Sequence, residues 1–281
     1  MEKLIQYATK ASAYDGPFDS VVGWSAAGMG YIVKSENGKI IVIDGGHDED
    51  GYPLYEIIKI LSEEEIPTVE AWIITHPHGD HYGTLREICK TDDLKNNIRI
   101  KSMIYHFPEG FVDAKGKGIS GAINSLEKIL KVTGAEHIIP TVDERMEIDG
   151  IKLHFLYTPT DLTILDNPNQ LSLIFTVEGK NKKVMFTGDA YKRNMQIVTW
   201  RYPKRLKCDI LQLPHHGLCD TGDMDFYKRV DAETVLIPIS VAGDRTMRSD
   251  MYGERPLANR FAEENARNVY KAFEGTVEIE L

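Results

Sequence analysis

"WIITHPHGDHYG", Trp72 to Gly83, packs three histidines and an aspartate into six residues directly behind an apolar run. His and Asp are mostly exposed or paired residues, and gathering them costs desolvation unless a positive charge holds them together. Pro77 biases His76 toward an extended backbone. His76 and His78, two residues apart, then project to one side and can share an ion. Gly79 permits a sharp bend, so Asp80 and His81 face a neighbouring position. Imidazole nitrogen and carboxylate oxygen are the donors that Zn²⁺ and similar first-row ions prefer.

One local cluster does not fill two coordination shells, so further donors must come from elsewhere in the chain. "FTGDA" supplies Asp189 behind a buried-looking strand, and a carboxylate there can bridge two ions. "LPHHG" supplies His215 and His216. His215, nearer the strand end, is the expected ligand; His216 is expected to support the ligands or touch substrate. Bridged ions would lie about 3.5–4 Å apart, the spacing of two-metal hydrolytic sites.

Around these stretches the chain alternates strands and helices. "GYIVKSENGKIIVIDGG" contains two β-rich runs around Glu36-Asn37-Gly38 and reads as a hairpin. "PLYEIIKILSEEE" has helical spacing behind Pro53, and "VEAWIIT" is a buried strand running into the cluster. "TLREICKTDD" should be a helix. "GAINSLEKILKVTG" is a helix that Gly134 is placed to end. After Ile148 short strands dominate: "IKLHFLYT", "LSLIFTV", "KKVMFTGDA", "CDILQLPHHG" and "ETVLIPIS". The last stretch, from Asn259, predicts a helix and one closing strand. Four apolar strands thus deliver polar residues at their C-terminal ends, the rim where sites gather in layered α/β folds.

With 43 acidic against 33 basic residues, the net charge of −10 disfavours nucleic acid held by the protein's bulk field and favours a small anionic substrate. The basic stretch Arg201 to Lys207 reads as a solvated loop. "GKGISG", Gly116 to Gly121, fits a dinucleotide-binding pattern formally but follows no buried strand, so it reads as a flexible loop. Cys89, Cys208 and Cys219 are too few and scattered for a disulfide framework. No apolar run fits a signal peptide or a membrane span, and free thiols suit a cytoplasmic protein.

The "THPHGDH" stretch matches the HxHxDH signature of the metallo-β-lactamase fold superfamily, and the order hairpin, "IDGG", "HPHGDH", "TGDA", "LPHHG" resembles that family along most of the chain. Within it, Asn169 to Leu173, Gly188-Asp189 and His215 to Gly217 resemble the hydrolase domain of competence-type DNA-uptake channel proteins. The resemblance implies an α/β protein, a single-domain four-layer αββα sandwich over residues 1–281, with metals at its rim and hydrolysis by a metal-bound hydroxide. By family position, His76, His78 and Asp189 hold one ion, and Asp80, His81, Asp189 and His215 the other. Asp80 and His216 are the expected catalytic residues, with Asp80 orienting the nucleophile. Asp44 looks like a brace behind the ligands. The implied cofactors are two divalent ions, Zn²⁺ and/or Mn²⁺, with iron a further option.

Several positions depart from the family pattern. Where many members carry another histidine ligand this chain has Asn169, an oxygen donor suited to a harder ion such as Mn²⁺ and a candidate substrate contact. Leu218 replaces the serine usual after "HHG", and "MYGERP" stands where "YGHP" is usual. The membrane-spanning parts of the channel proteins are absent, so a role in DNA uptake does not carry over. The expected activity is hydrolysis of a phosphodiester in a small nucleotide or phosphorylated metabolite. The alternatives are a lactone or thioester hydrolase, and a binding protein that keeps the fold without turnover.

Overall fold

The structure is a computed structural model describing residues 1–17, 27–160, 165–204, 206–218, 222–247 and 257–281. Arg205, Cys219 and the "MYGERP" stretch, residues 251–256, lie outside the described residues.

The N-terminal half supplies β1 (Lys3–Gln6), β2 (Gly30–Lys34), β3 (Ile40–Asp44), β4 (Thr68–Ile73), β5 (Arg99–Ile100), β6 (Ser102–Ile104) and β7 (Glu136–Ile138). Its helices are α1 (Gly51–Leu61), α2 (Gly79–Lys90), α3 (Asp92–Asn96) and α4 (Ser120–Thr133). The other half supplies β8 (Arg145–Ile148), β9 (Ile151–Tyr157), β10 (Ile174–Glu178), β11 (Lys183–Phe186), β12 (Ile210–Gln212), β13 (Thr234–Ile237) and β14 (Asn268–Lys271). Its helices are α5 (Lys192–Arg201), α6 (Met224–Val230), α7 (Val241–Met247) and α8 (Leu257–Asn265). The last strand, β15 (Val277–Glu280), returns to pair with β1, giving the order β15-β1-β2-β3-β4-β6-β7, with β5 beside β4. The second sheet runs β14-β13-β12-β11-β10-β9-β8.

Strand alternation sorts the core into three layers. Along β3, Ile40 and Val42 face a cluster with Leu54 and Ile58 of α1, Leu85 of α2 and Leu126 of α4. Ile41 and Ile43 face the other way, onto Phe155, Phe175, Val184 and Phe186 of the second sheet. On that sheet's outer side, Met185, Leu211 and Val235 pack on Met195 and Val198 of α5, Phe226 of α6 and Ala258 of α8. This is helix, sheet, sheet, helix: the α/β sandwich with its apolar strands buried on both faces.

Gly134 ends α4 in the left-handed conformation, φ 66°, as its position predicted. Two expectations change. The helix after the cluster begins at Gly79, so Asp80 and His81 belong to the first turn of α2. The C-terminal stretch forms two strands, β14 and β15, one for each sheet.

Parallel pairing makes the rim. β3 pairs parallel with β4, and β11, β12 and β13 are parallel neighbours. Their polar C-terminal endings therefore emerge along one edge, and Leu173 N donates across the sandwich to Thr75 O at 3.0 Å.

Candidate metal centre

Every donor sits where a strand stops. β3 ends at Asp44, φ 57°, and Asp44 is fully buried. β4 runs through Thr75 into His76 and His78, and α2 then lifts Asp80 and His81 in its first turn. β11 ends at Phe186, and the chain turns through Gly188, φ 52°, ahead of Asp189. A Cβ on Gly188 would stand 2.8 Å from Thr75 Cβ, so the close approach of the two sheets here requires glycine. β12 runs into His215 and His216, at φ 49° and 55°. Left-handed backbone costs a non-glycine residue about 1–3 kcal/mol, comparable with what one buried Leu or Phe contributes, about 1.5–3 kcal/mol. The layered core is large enough to impose such strain at Asp44, His215 and His216.

Two donor groups result, with Asp189 in both: His76, His78 and Asp189, and Asp80, His81, Asp189 and His216. His76 Nε2 is 3.5 Å from Asp189 Oδ2, and His81 Nε2 is 3.4 Å from Asp189 Oδ1. His216 Nε2 is 3.2 Å from Asp80 Oδ2 and 3.7 Å from Asp189 Oδ2. A tetrahedral shell with bonds of about 2.1 Å has donor–donor edges of about 3.4 Å. Nε2 of His76, His81 and His216, and Oδ1 of Asp189, are buried without hydrogen-bond partners. Orphaned polar atoms at that spacing fit divalent ions, one per group.

The atoms behind the donors set their orientation. His216 Nδ1 donates to Pro238 O at 2.7 Å; a carbonyl only accepts, so the proton is on Nδ1 and Nε2 faces the cluster. His81 Nδ1 lies 2.8 Å from Asp44 Oδ2, and His76 Nδ1 lies 3.2 Å from Thr75 Oγ1. Asp44 also accepts from Thr75 N at 2.8 Å and from Thr75 Oγ1 at 2.9 Å. Gln212, fully buried, accepts from Thr187 N and Gly188 N, each at 2.8 Å, and donates to Gly188 O at 3.1 Å. It stitches β11 to β12 below Asp189. The sequence reading did not single out Gln212; a glutamine inside the apolar "DILQLP" strand was the available signal.

Electrostatics divide the imidazoles. Burial holds His76 well below the ordinary histidine value and His78 and His215 below it. Burial also opposes charge on His81, but Asp189, Asp44 and Asp80 outweigh it and raise His81 well above that value. Asp189 and Asp80 raise His216 in the same way. Burial pushes Asp44 up, while His81 and His216 overcome burial to hold Asp80 and Asp189 low. The buried carboxylates thus draw positive charge to this cluster, a demand that dications meet when they bind.

The sequence reading placed His215 among the ligands and gave His216 the supporting or substrate role. In the structure His216 lies in the second group, whereas His215 Nε2 stands 3.9 Å from Asp189 Oδ2 with its side chain 20% exposed. Tyr191 flanks it, ring centroids 5.8 Å apart. Asn169 sits buried in a 3-10 turn (Pro168–Leu171) and donates through Nδ2 to Tyr191 Oη at 3.3 Å, leaving Oδ1 buried without a partner.

The sequence profile of the metallo-beta-lactamase superfamily matches residues 27–236, which contain every one of these donors. The chain belongs to the metallo-beta-lactamase superfamily. Among relatives, it is 25% identical to ComE operon protein 3 of Bacillus subtilis over 182 residues, 64% of this chain and 21% of that protein. It is 28% identical to the UPF0173 metal-dependent hydrolase NEQ378 of Nanoarchaeum equitans over 166 residues, 58% of this chain and 63% of that protein. The match thus spans about a fifth of the first relative and under two thirds of the second. Zn²⁺-bound PqqB from Methylobacterium extorquens has the same fold, with a TM-score of 0.58 at 11% identity over the full length of both chains. Within this superfamily fold, no described helix is long and apolar enough to cross a membrane.

Proposed function

We propose that this chain is a metal-dependent hydrolase acting on a phosphodiester of a small nucleotide or phosphorylated metabolite. The observation that carries the reading is Asp189, one carboxylate shared by two groups of orphaned donors. His76, His78 and Asp189 would hold one ion, and Asp80, His81, Asp189 and His216 the other. When bound, two such ions supply acidification of a water and neutralisation of phosphate charge. The description of the archaeal relative as a metal-dependent hydrolase supports the general class.

The remaining chemistry belongs to the chain. Asp80 is the most accessible carboxylate of the cluster, 17% exposed against 2% for Asp189. It is therefore the one placed to accept a hydrogen bond from a water on the exposed side of the cluster and orient its attack. Asp44 and Pro238 O keep the His81 and His216 rings from rotating away. The buried amide of Asn169 adds an oxygen donor beside the cluster, which suits a hard ion or a hydroxyl of the substrate. The acid excess of the chain favours a small anion over a long duplex.

The deciding experiment is elemental analysis of protein purified without chelator, followed by assays on bis(p-nitrophenyl) phosphate, a lactone and a thioester. About two ions per chain and turnover of the phosphodiester are expected. Cleavage of the lactone or thioester with none of the phosphodiester would replace this reading with carbonyl hydrolysis. Metal without turnover of any substrate would favour a binding protein.

A further inference from the structure

His215 and His216 are adjacent, both left-handed, and aimed at the same cluster, yet their rings are held in opposite ways. In His216 the proton is fixed on Nδ1 by Pro238 O, so Nε2 presents a lone pair. In His215, Nδ1 is buried with no partner. An N–H on Nδ1 would have no acceptor, whereas one on Nε2 faces the Asp189 carboxylate and the exposed side of the ring. The neutral ring therefore carries its proton on Nε2, the nitrogen that faces Asp189 at 3.9 Å from the exposed side of the ring. A protonated Nε2 is a donor and offers no lone pair to an ion. The three buried ligand imidazoles differ from it, because Nδ1 of each lies against an oxygen: Thr75 Oγ1 for His76, Asp44 for His81 and Pro238 O for His216.

We propose that His215 is a substrate-binding residue whose Nε2–H donates to a non-bridging oxygen of the phosphate group, with Tyr191 and, behind it, Asn169 steadying the ring. The assignment rests on the phosphodiester reading for the identity of the anion. Tyr191 flanks the ring, and its hydroxyl receives Asn169 Nδ2, so the three side chains form one connected chain of contacts behind the His215 ring. Strain at His215 then has a purpose separate from that at His216: one left-handed residue aims a ligand, the next a hydrogen-bond donor.

The test compares three variants. In His215→Gln the side-chain amide nitrogen reaches about where Nε2 stands; in His215→Asn it falls near Nδ1, and asparagine tolerates the left-handed backbone. His216→Asn is the ligand control. Metal per chain, the affinity of the metal-loaded protein for inorganic phosphate by calorimetry, and KM and kcat are read for each.

Both His215 variants should retain the wild-type metal content while His216→Asn loses an ion. His215→Asn should weaken phosphate about tenfold and raise KM by a similar factor with a smaller change in kcat, the loss expected for one hydrogen bond to a charged group. His215→Gln should recover most of that loss. The proposal is overturned if His215→Gln loses an ion, if Gln and Asn weaken phosphate equally, or if neither weakens it. Should His215→Asn fail to fold, metal content and phosphate affinity of His215→Gln still decide. If the wild type binds phosphate in a His215-dependent way but cleaves no phosphodiester, the reaction assigned above fails while the anion contact stands.

Discussion

His216 Nδ1 lies 2.7 Å from the carbonyl oxygen of Pro238, at the end of β13, so a neighbouring strand dictates which nitrogen of His216 faces Asp80 and Asp189. The same logic recurs at His81, where Asp44 at the end of β3 occupies Nδ1. The donor set is thus aimed from behind by backbone and carboxylate groups on other strands.

Asp44→Asn tests that backing. The amide keeps the shape but replaces the acceptor facing His81 Nδ1 with one oxygen and one competing donor. Metal affinity should fall about 10–100-fold, the usual effect of losing such a partner. A competition titration against a chromophoric chelator reads it; unchanged affinity would mean that Asp44 serves only the Thr75 turn.

Asp189→Asn should cost both ions, because no other residue belongs to both groups. Metal per chain should drop from about two to well below one, and the thermal midpoint of the metal-loaded protein should fall toward that of chelator-treated wild type. Retention of one tightly held ion would show that one group closes without the shared carboxylate.

Gly188→Ala probes the close contact of the two sheets. The new methyl meets Thr75 Cβ at 2.8 Å on a backbone with φ 52°. Strain and overpacking together should destabilise by roughly 2–5 kcal/mol in urea unfolding, with metal loading impaired. A loss below about 1 kcal/mol would mean that Thr75 moves aside freely.

Cys89 and Cys208 give a pH prediction away from the centre. Burial pushes both thiols up to about 12, against 9.0 for an open thiol. Between those values the folded chain binds more protons than the unfolded one, so this contribution to stability is intact below pH 9 and declines as pH rises toward 12. Peptide-mapped alkylation at pH near 8.5 should be more than about a hundredfold slower at both positions in folded protein than in urea. Equal rates would show that the thiols are reached by local opening.

Much of the architecture was legible because it depends on local period and composition. Alternation at Ile40 to Ile43 marks a strand buried on two faces, Gly134 marks a helix end, and the spacing of His76, His78, Asp80 and His81 marks a metal cluster. Each of these follows from neighbours within a few residues. The choice between His215 and His216 does not. In "LPHHG" the two are chemically equivalent; proximity to the strand end favours His215, whereas the donor group in the structure contains His216. Gln212 stands out in its apolar strand, but its role as a support does not follow from that, because its partners Thr187 and Gly188 come from the turn after β11.

What the sequence by itself determined is the inventory: which donors exist, and that apolar strands deliver them at their C-terminal ends. What only the tertiary structure decided is their direction. Left-handed backbone at Asp44, His215 and His216 is imposed by the packed sheets, and the tautomer of each ring is set by whichever oxygen, Asp44, Thr75 or Pro238, the fold brings behind it. A histidine has two nitrogens and one proton when neutral, so its role is undecided until a distant residue takes one of them.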